Sequence, residues 1–371
     1  MADLPKRIAL VYDSVNKWGG AEVVLLALHD LFPMAPLYTS VYAKKNAAWA
    51  RVFPEIVTSF LQHIPFAKNN REFFPWLTPL AFESLNFSDY DAVISVTSAD
   101  AKGIITSPKT FHLCYCLTPT RYLWSHFSEY KNQLGKMDIF TGPIFNYLKK
   151  WDLSASRRPD AYVSISRTVQ TRIKKFYHQD SLLIYPPAGI EGDKSENNRE
   201  DYFLYLGRLI SYKNPETIIK VFNELNLPLV MIGTGKLEKK LKKLAKPNIK
   251  ITGFISDREK NIYIKNCKAL IFFHEEDFGI VPVEVQSMGK PVIALNRGGA
   301  SETVIDGKTG VLISDPSPQA LAGAVLNFDS SKYSPDFIKN HAKIFSRVRF
   351  KAEFVKIFKQ QWTKYKNIYS Y

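Results

Sequence analysis

Cysteine is scarce in this chain of 371 residues, which has three. Cys114 and Cys116 stand two apart in an apolar run, so on a strand both point to one face, and no second pair accompanies them. That pattern supports neither a zinc cluster nor a disulfide framework; it reads as small buried thiols in a reducing compartment. Long apolar runs are missing too: no stretch reaches the roughly 18 consecutive apolar residues that a membrane-spanning helix needs. Acidic charge is short, with 35 Asp and Glu against 50 Lys and Arg, a net charge of +15. The imbalance favours anionic partners such as nucleic acid, lipid headgroups or phosphorylated small molecules. No motif that reads nucleic acid is found, and the aromatic residues recur at core-like spacings, so nucleic acid is set aside.

What is present suits two domains. The length fits two units of roughly 150 to 200 residues, and 46% hydrophobic against 23% charged residues gives each a core. The opening MADLPKRIALVYDS passes almost at once into a strand and does not read as a secretory leader, so a cytoplasmic protein is expected.

Residues 7–12 (RIALVY) read as a buried parallel strand, followed by the loop DSVNKWGG and the helical pattern AEVVLLALHDLF. Strand, glycine loop and helix open a doubly wound domain. Further strands are expected at 91–96, 111–117 and 161–164, and the Phe-, Pro- and Leu-rich segment 58–87 is expected to be helical or irregular. The polar run GIEGDKSENNRED follows Tyr185-Pro186-Pro187 and reads as a linker. From Phe203 a second series begins: FLYL, LVMI, NIKIT, ALIFF, KPVIAL and VLI, separated by helix-length segments such as 215–225. The tail places Phe350, Phe354, Ile357, Phe358, Trp362, Tyr365 and Tyr369 on one helical stripe that must pack on something. The expected organisation is a first domain over 1–188, a linker over 189–201, a second domain over 202–345 and a terminal helix over 346–371.

The segment EEDFGIVPVEVQSMGKPVIALNRGGASETV carries the most chemistry. A strand ends before a carboxylate pair; Phe278-Gly279-Ile280 follows, with Pro282 in the first turn of a helix. Gly279 lets the backbone approach a ligand, and the helix N-terminus offers unpaired amides to a phosphate. Glu276 precedes the helix and Glu284 lies about one turn into it. Either carboxylate alone is most simply a helix-end or solvated group; with the glycines, both can reach a cleft at the C-terminal sheet edge.

EDFGIVPVE resembles the carboxylate-x7-carboxylate signature of glycosyltransferase family 4, and KPVIALNRGGASETVIDGKTGVL resembles the segment that follows it there. GRLISYKN resembles the family's phosphate site, and LVMIGTG and NIKITGF extend the likeness over most of 202–312, more loosely into the first half. The resemblance implies an α/β chain of the GT-B fold: two facing, doubly wound Rossmann-like domains, with the C-terminal helix crossing back to the first. It implies a retaining transferase that takes a sugar from a nucleotide-diphosphate donor, with no cofactor and no metal. Arg208 and Lys213, beside Gly207, would hold the donor pyrophosphate and act in catalysis with Glu276; two cations from one loop suit a doubly charged group. Glu284 would take the ribose hydroxyls, and Glu276, with the amides of Phe278, Gly279 and Ile280, would face the sugar. Gly253 and Phe254 would complete the donor side. Gly19 and Gly20 would lie near the donor phosphate, and Asp13, Trp18, Leu117 and Arg121 on the acceptor side.

One departure stands out. FHLCYCLTPTRYLW resembles a family strand that often ends in histidine before Thr-Pro; here that position is Leu117. Two metal readings are rejected. Asp89-Tyr90-Asp91 punctuates a turn, and His274 beside Glu275 finds no third and fourth ligand. No lysine motif for pyridoxal phosphate stands out. The same neighbourhood resembles mannosyltransferases that build surface polysaccharides such as lipopolysaccharide, which favours GDP-mannose as donor and a saccharide or lipid-linked saccharide as acceptor. A UDP-sugar-dependent transferase and a non-catalytic sugar-nucleotide-binding module are the alternatives. Lys149, Lys150, Arg157, Arg158, Arg172, Lys174 and Lys175, amid Phe145, Tyr147, Trp151 and Phe176, are expected to offer an anionic membrane a peripheral contact on the inner leaflet; solvated helix faces explain such cations as well.

Overall fold

The structure is a computed structural model that describes residues 4–69, 71–125, 138–189 and 201–369. The chain divides into two compact units, Met1–Pro187 with Phe350–Tyr371, and Ala188–Arg349. Of the linker expected at 189–201, only Gly189 and Asp201 are described; the rest lies outside the described residues.

The first unit is built on β1 (Ile8–Tyr12), β2 (Leu37–Thr39), β3 (Ile56–Thr58), β4 (Ala92–Thr97), β5 (Phe111–Cys116), β6 (Ala161–Ser164) and β7 (Leu182–Leu183). They form one sheet in the order β3-β2-β1-β4-β5-β6-β7, and every neighbouring pair is parallel. The second unit has β8 (Phe203–Leu206), β9 (Leu229–Ile232), β10 (Ile249–Gly253), β11 (Ala269–Phe272), β12 (Val292–Leu295) and β13 (Gly310–Ile313). Its sheet runs β10-β9-β8-β11-β12-β13 and is likewise parallel. In each unit the strand order reverses once, between β1 and β4 and between β8 and β11. Ligands of doubly wound sheets sit outside the C-terminal strand ends at such a reversal.

The apolar runs follow from this architecture. A strand alternates its side chains between two faces, and a sheet covered on both faces needs both sets apolar. In the second unit Phe203, Tyr205, Met231, Ile271 and Phe273 enter one buried cluster. The intervening Leu204, Val230, Ile232, Leu270 and Phe272 enter another.

The helix Arg347–Ile368 buries Phe350, Phe354, Phe358, Trp362 and Tyr365. Within the first unit Phe354 and Phe358 meet Phe32, Phe358, Trp362 and Tyr365 meet Phe111, and Phe350 stands edge-on to Tyr115 at 5.8 Å. Lys351 pairs with Asp30 at 3.2 Å. The stripe read from the sequence therefore covers the first unit's own sheet face, with Tyr369 at its exposed margin. The segment 58–87 contains two short 3-10 turns and the helix Thr78–Glu83.

Under the C-terminal edge of the first sheet lies a charged network. Lys102 and Asp152 are almost fully buried and pair at 2.5 Å. Asp152 also accepts from Thr120 Oγ1 at 2.8 Å, Trp124 Nε1 at 2.7 Å and Tyr177 OH at 2.9 Å. Thr120 and Trp124 belong to TPTRYLW, so this carboxylate anchors that segment.

Candidate functional site

In the second unit, β8 ends at Leu206 and continues through Gly207 and Arg208 into a 3-10 turn, Ser211–Lys213. Asn214 then takes a left-handed conformation (φ 52°) and Pro215 opens the helix Pro215–Leu225. Asn is one of the few residues with a side chain that adopt this conformation readily, and Pro at the first helical position lacks only a donor that would go unused. The loop is stitched to its neighbours: Gly207 N–H donates to Ile232 O at 3.0 Å, and Gly233 N–H to Gly253 O at 3.0 Å. Gly233 has φ 142°, and a Cβ there would collide with the Gly207 carbonyl.

β11 ends next to β8 and delivers His274, Glu275 and Glu276. Gly279 (φ 82°) turns the chain into the helix Ile280–Ser287. Beneath this turn Gly298 and Gly299 press against the backbone of Glu276 and Phe278, and a Cβ on either would collide with it. Gly299 N–H donates to Glu276 O at 2.8 Å. The glycine pair of NRGGA thus fixes the height at which Glu276 and the amides of the following helix stand above the sheet.

Lys213 and Glu276 meet here. Lys213, 6% exposed, brings Nζ to 2.5 Å from Glu276 Oε1. His274 Nε2 lies 3.3 Å from the same oxygen. Burial works against the Glu276 charge, but the His274 hydrogen bond and the Lys213 ammonium outweigh it and hold the carboxyl well below the usual carboxylate range. Glu276 is therefore ionised throughout the physiological range. Arg208 is exposed, with Nη2 2.9 Å from Tyr212 OH. Its guanidinium extends from the same loop into solvent.

Glu284 sits one turn into its helix and faces Lys260 across 3.7 Å; Lys260 also pairs with Asp257 at 3.0 Å. Burial raises the Glu284 carboxyl from its ordinary value, with Lys260 opposing. Burial also disfavours the Lys260 ammonium, but Glu284 and Asp257 outweigh it and raise that group. Lys260 was not singled out from the sequence. The signal was present in SDREK, a capping box in which Ser256 and Glu259 bond reciprocally and so start the helix Asp257–Asn266. Gly253 (φ 77°) closes β10, and Phe254 beyond it is 87% exposed.

In the first unit Gly19 caps the helix Gly20–Leu31 in an extended conformation, and neither glycine has a positive φ. Glu22, buried, accepts from Tyr12 OH at 2.9 Å. Trp18 is 57% exposed and meets Trp49 edge-on. Asp13, which follows β1, spends its carboxylate on the fold. Oδ1 accepts from Thr97 Oγ1 and from the amides of Asp100 and Ala101, and Oδ2 from Ser98 N at 2.7 Å. It braces the loop after β4 at the strand-order reversal. Leu117, half-buried, follows β5 and donates its amide to Thr97 O at 2.8 Å; Arg121 lies half-buried in the turn beyond. Among the described residues no three His, Cys, Asp or Glu side chains gather as a metal site, and no helix is long and apolar enough to cross a membrane.

Residues 190–344 match the family described as "Glycosyl transferases group 1". An uncharacterized glycosyltransferase of Methanocaldococcus jannaschii is 26% identical over 199 residues, 52% of this chain and 56% of the relative. O-antigen chain mannosyltransferase C of Escherichia coli is 25% identical over 223 residues, 55% of this chain and 58% of the relative. The chain thus spans somewhat over half the length of these relatives. The crystal structure of Anabaena HepE in complex with UDP superposes with a TM-score of 0.70 at 17% identity, covering 95% of this chain and 100% of HepE. The fold is that of the GT-B glycosyltransferases, two Rossmann-like parallel α/β units.

Proposed function

We propose that the chain is a retaining, metal-independent glycosyltransferase of family 4 that moves a hexosyl unit from a nucleotide-diphosphate sugar to a saccharide or lipid-linked saccharide in surface polysaccharide synthesis. The observation that carries this reading is the Lys213–Glu276 pair, 2.5 Å apart, at the strand-order reversal of the second unit. Arg208, Lys213 and the amides at the start of the helix Ile280–Ser287 receive the donor diphosphate, whose charge grows as the glycosidic C1–O bond breaks. Glu276 and the amides of Phe278 to Ile280 receive the sugar, Glu284 the ribose hydroxyls, and Gly253 and Phe254 the rest of the nucleoside. The new C1–O bond forms on the face the diphosphate leaves, and the departing phosphate oxygen takes the acceptor proton. That route asks nothing of a side chain at Leu117, and the cations supply the charge a metal would.

GDP-mannose is the proposed donor. The resemblance of the TPTRYLW neighbourhood to mannosyltransferases supports it, as does the similarity to O-antigen chain mannosyltransferase C of Escherichia coli; UDP bound to HepE keeps UDP-sugars as the alternative. Thermal shift against a panel of nucleotide sugars tests the donor, with the largest shift expected from GDP-mannose; a shift with UDP-sugars alone reverses the choice. Glu284→Ala should lower donor affinity at least tenfold without unfolding the protein. A carboxylate loses two charge-assisted hydrogen bonds of about 1.5–3 kcal/mol each. Titration calorimetry showing unchanged affinity would remove Glu284 from the ribose.

The proposed cellular setting is the cytoplasmic face of the membrane. Of the cations at 149–175, Arg158 pairs with Glu83 at 2.6 Å and Lys174 with Asp180 at 2.7 Å. Lys149 stands over the Trp124 ring and Lys175 over Phe176. Roughly four or five basic residues at about 1 kcal/mol each would hold the enzyme reversibly on an anionic surface. Co-sedimentation with anionic vesicles should therefore occur at low salt and fade at high salt. Equal binding to anionic and neutral lipid, or none at low salt, leaves a soluble acceptor.

A further inference from the structure

His274 takes no part in the mechanism above, yet it is 1% exposed, packed on Phe272 with ring centroids 4.1 Å apart, and directed at Glu276. Its Nε2 and Lys213 Nζ converge on the same oxygen, Oε1, at 3.3 and 2.5 Å. No hydrogen bond from a described residue reaches Oε2. At its other nitrogen, Nδ1, the ring is buried with no partner among the described residues. A buried polar atom left unpaired costs stability, and an apolar side chain would fill this space without that cost. What distinguishes histidine here is the single donor it turns toward the carboxylate.

We infer that His274 is a positioning residue. Its Nε2–H holds Glu276 by Oε1, leaving Oε2 for the donor sugar and letting Lys213 pass to the donor diphosphate while the carboxylate stays in place. The inference rests on the glycosyltransfer reading. It resolves a conflict in that reading, because one ammonium is asked to serve both Glu276 and the diphosphate. Burial lowers the imidazole from its ordinary value against the pull of Glu276, so the ring is neutral and its one proton sits on Nε2. Among the described residues, the charged and titratable groups around Glu276 are His274, Lys213 and Tyr205, with Glu275 and Asp277 flanking it in the chain.

The test has two arms on the full chain. In a histidine-15N-labelled sample at neutral pH, the His274 resonances should report an Nε2–H ring hydrogen-bonded at that nitrogen, and Glu276→Gln should shift them. An Nδ1–H or doubly protonated ring overturns the inference whether or not the protein transfers sugar. In kinetics, His274→Leu should lower kcat at saturating donor by about 10- to 100-fold, since small misplacements of a positioning group carry losses of that order. KM for the donor should change little. The acid limb of kcat should move to higher pH, because Glu276 loses a donor that favours its ionised form. His274→Gln, which keeps an N–H at this reach, should recover most of the rate and shows that the loss is not misfolding. Wild-type kcat and an unmoved acid limb in His274→Leu also overturn it. A wild-type chain that turns over no nucleotide sugar sinks the glycosyltransfer reading instead, and the resonance arm still decides the His274 contact.

Discussion

Lys213→Met is expected to cut kcat by about 10²- to 10³-fold while the protein stays folded. Lys213 is buried in the 3-10 turn after β8 and meets Glu276 at 2.5 Å. A cation held in this way costs no reorganisation when charge develops on the leaving diphosphate, and removing one such preorganised group costs that order in rate. Because the stabilisation grows in the transition state, the loss should fall on kcat more than on donor affinity. Arg208→Ala should do less, about tenfold to a hundredfold, since its guanidinium is exposed and, among the described residues, bonded to Tyr212 alone. Chelator should leave the wild-type rate unchanged. Steady-state kinetics that give Lys213→Met a wild-type kcat, or EDTA that abolishes turnover until a divalent ion is restored, would contradict the metal-free account.

Lys102→Met is expected to destabilise the protein by about 3–5 kcal/mol, the cost of breaking one partner out of a buried ion pair. Asp152 would keep the donors from Thr120, Trp124 and Tyr177 but lose its cation while fully buried. The Lys102 ammonium is disfavoured by burial, yet Asp152 outweighs this and raises the group above its ordinary value, so the ammonium keeps its proton near neutrality. Pairing Lys102→Met with Asp152→Leu should recover part of the loss, because a buried pair replaced by apolar groups is often neutral. Chemical unfolding followed at the Trp124 indole, compared across the single and double variants, measures both. An unfolding midpoint equal to wild type in Lys102→Met would show that Asp152 does not need its cation.

The second unit was legible because its strands are buried on both faces. FLYL, LVMI, ALIFF and KPVIAL announce themselves as apolar blocks, and Pro215 marks a helix start that the structure places at that residue. β2, β3 and β7 were not seen: two or three residues long, they offer no periodicity to read. The site was legible where backbone chemistry forces residue type. Gly279 turns the chain at φ 82°, and the helix Ile280–Ser287 starts there. What could not be read were contacts between residues far apart in sequence. Nothing in SYKN or HEED says that Lys213 and Glu276 meet, that His274 shares their oxygen, or that Lys260 covers Glu284. The collision that makes Gly298 and Gly299 necessary depends on the backbone of Glu276 and Phe278 lying above them, which only the folded β11 and β12 bring about. Asp13, which the resemblance puts on the acceptor side, has its carboxylate bound by five donors from Thr97 at the end of β4 and from Ser98, Asp100 and Ala101 beyond it, contacts that the sequence does not show.

The most direct measurement is transfer itself. The full chain is incubated in EDTA with GDP-mannose, or a UDP-sugar in parallel, and a lipid-linked saccharide acceptor. Nucleoside diphosphate release is followed, and the anomeric signal of the product is read by NMR. The account predicts acceptor-dependent release matched mole for mole by a glycosylated product whose new linkage keeps the anomeric configuration of the donor. A product of inverted configuration, or no acceptor-dependent release from any nucleotide sugar, would contradict it.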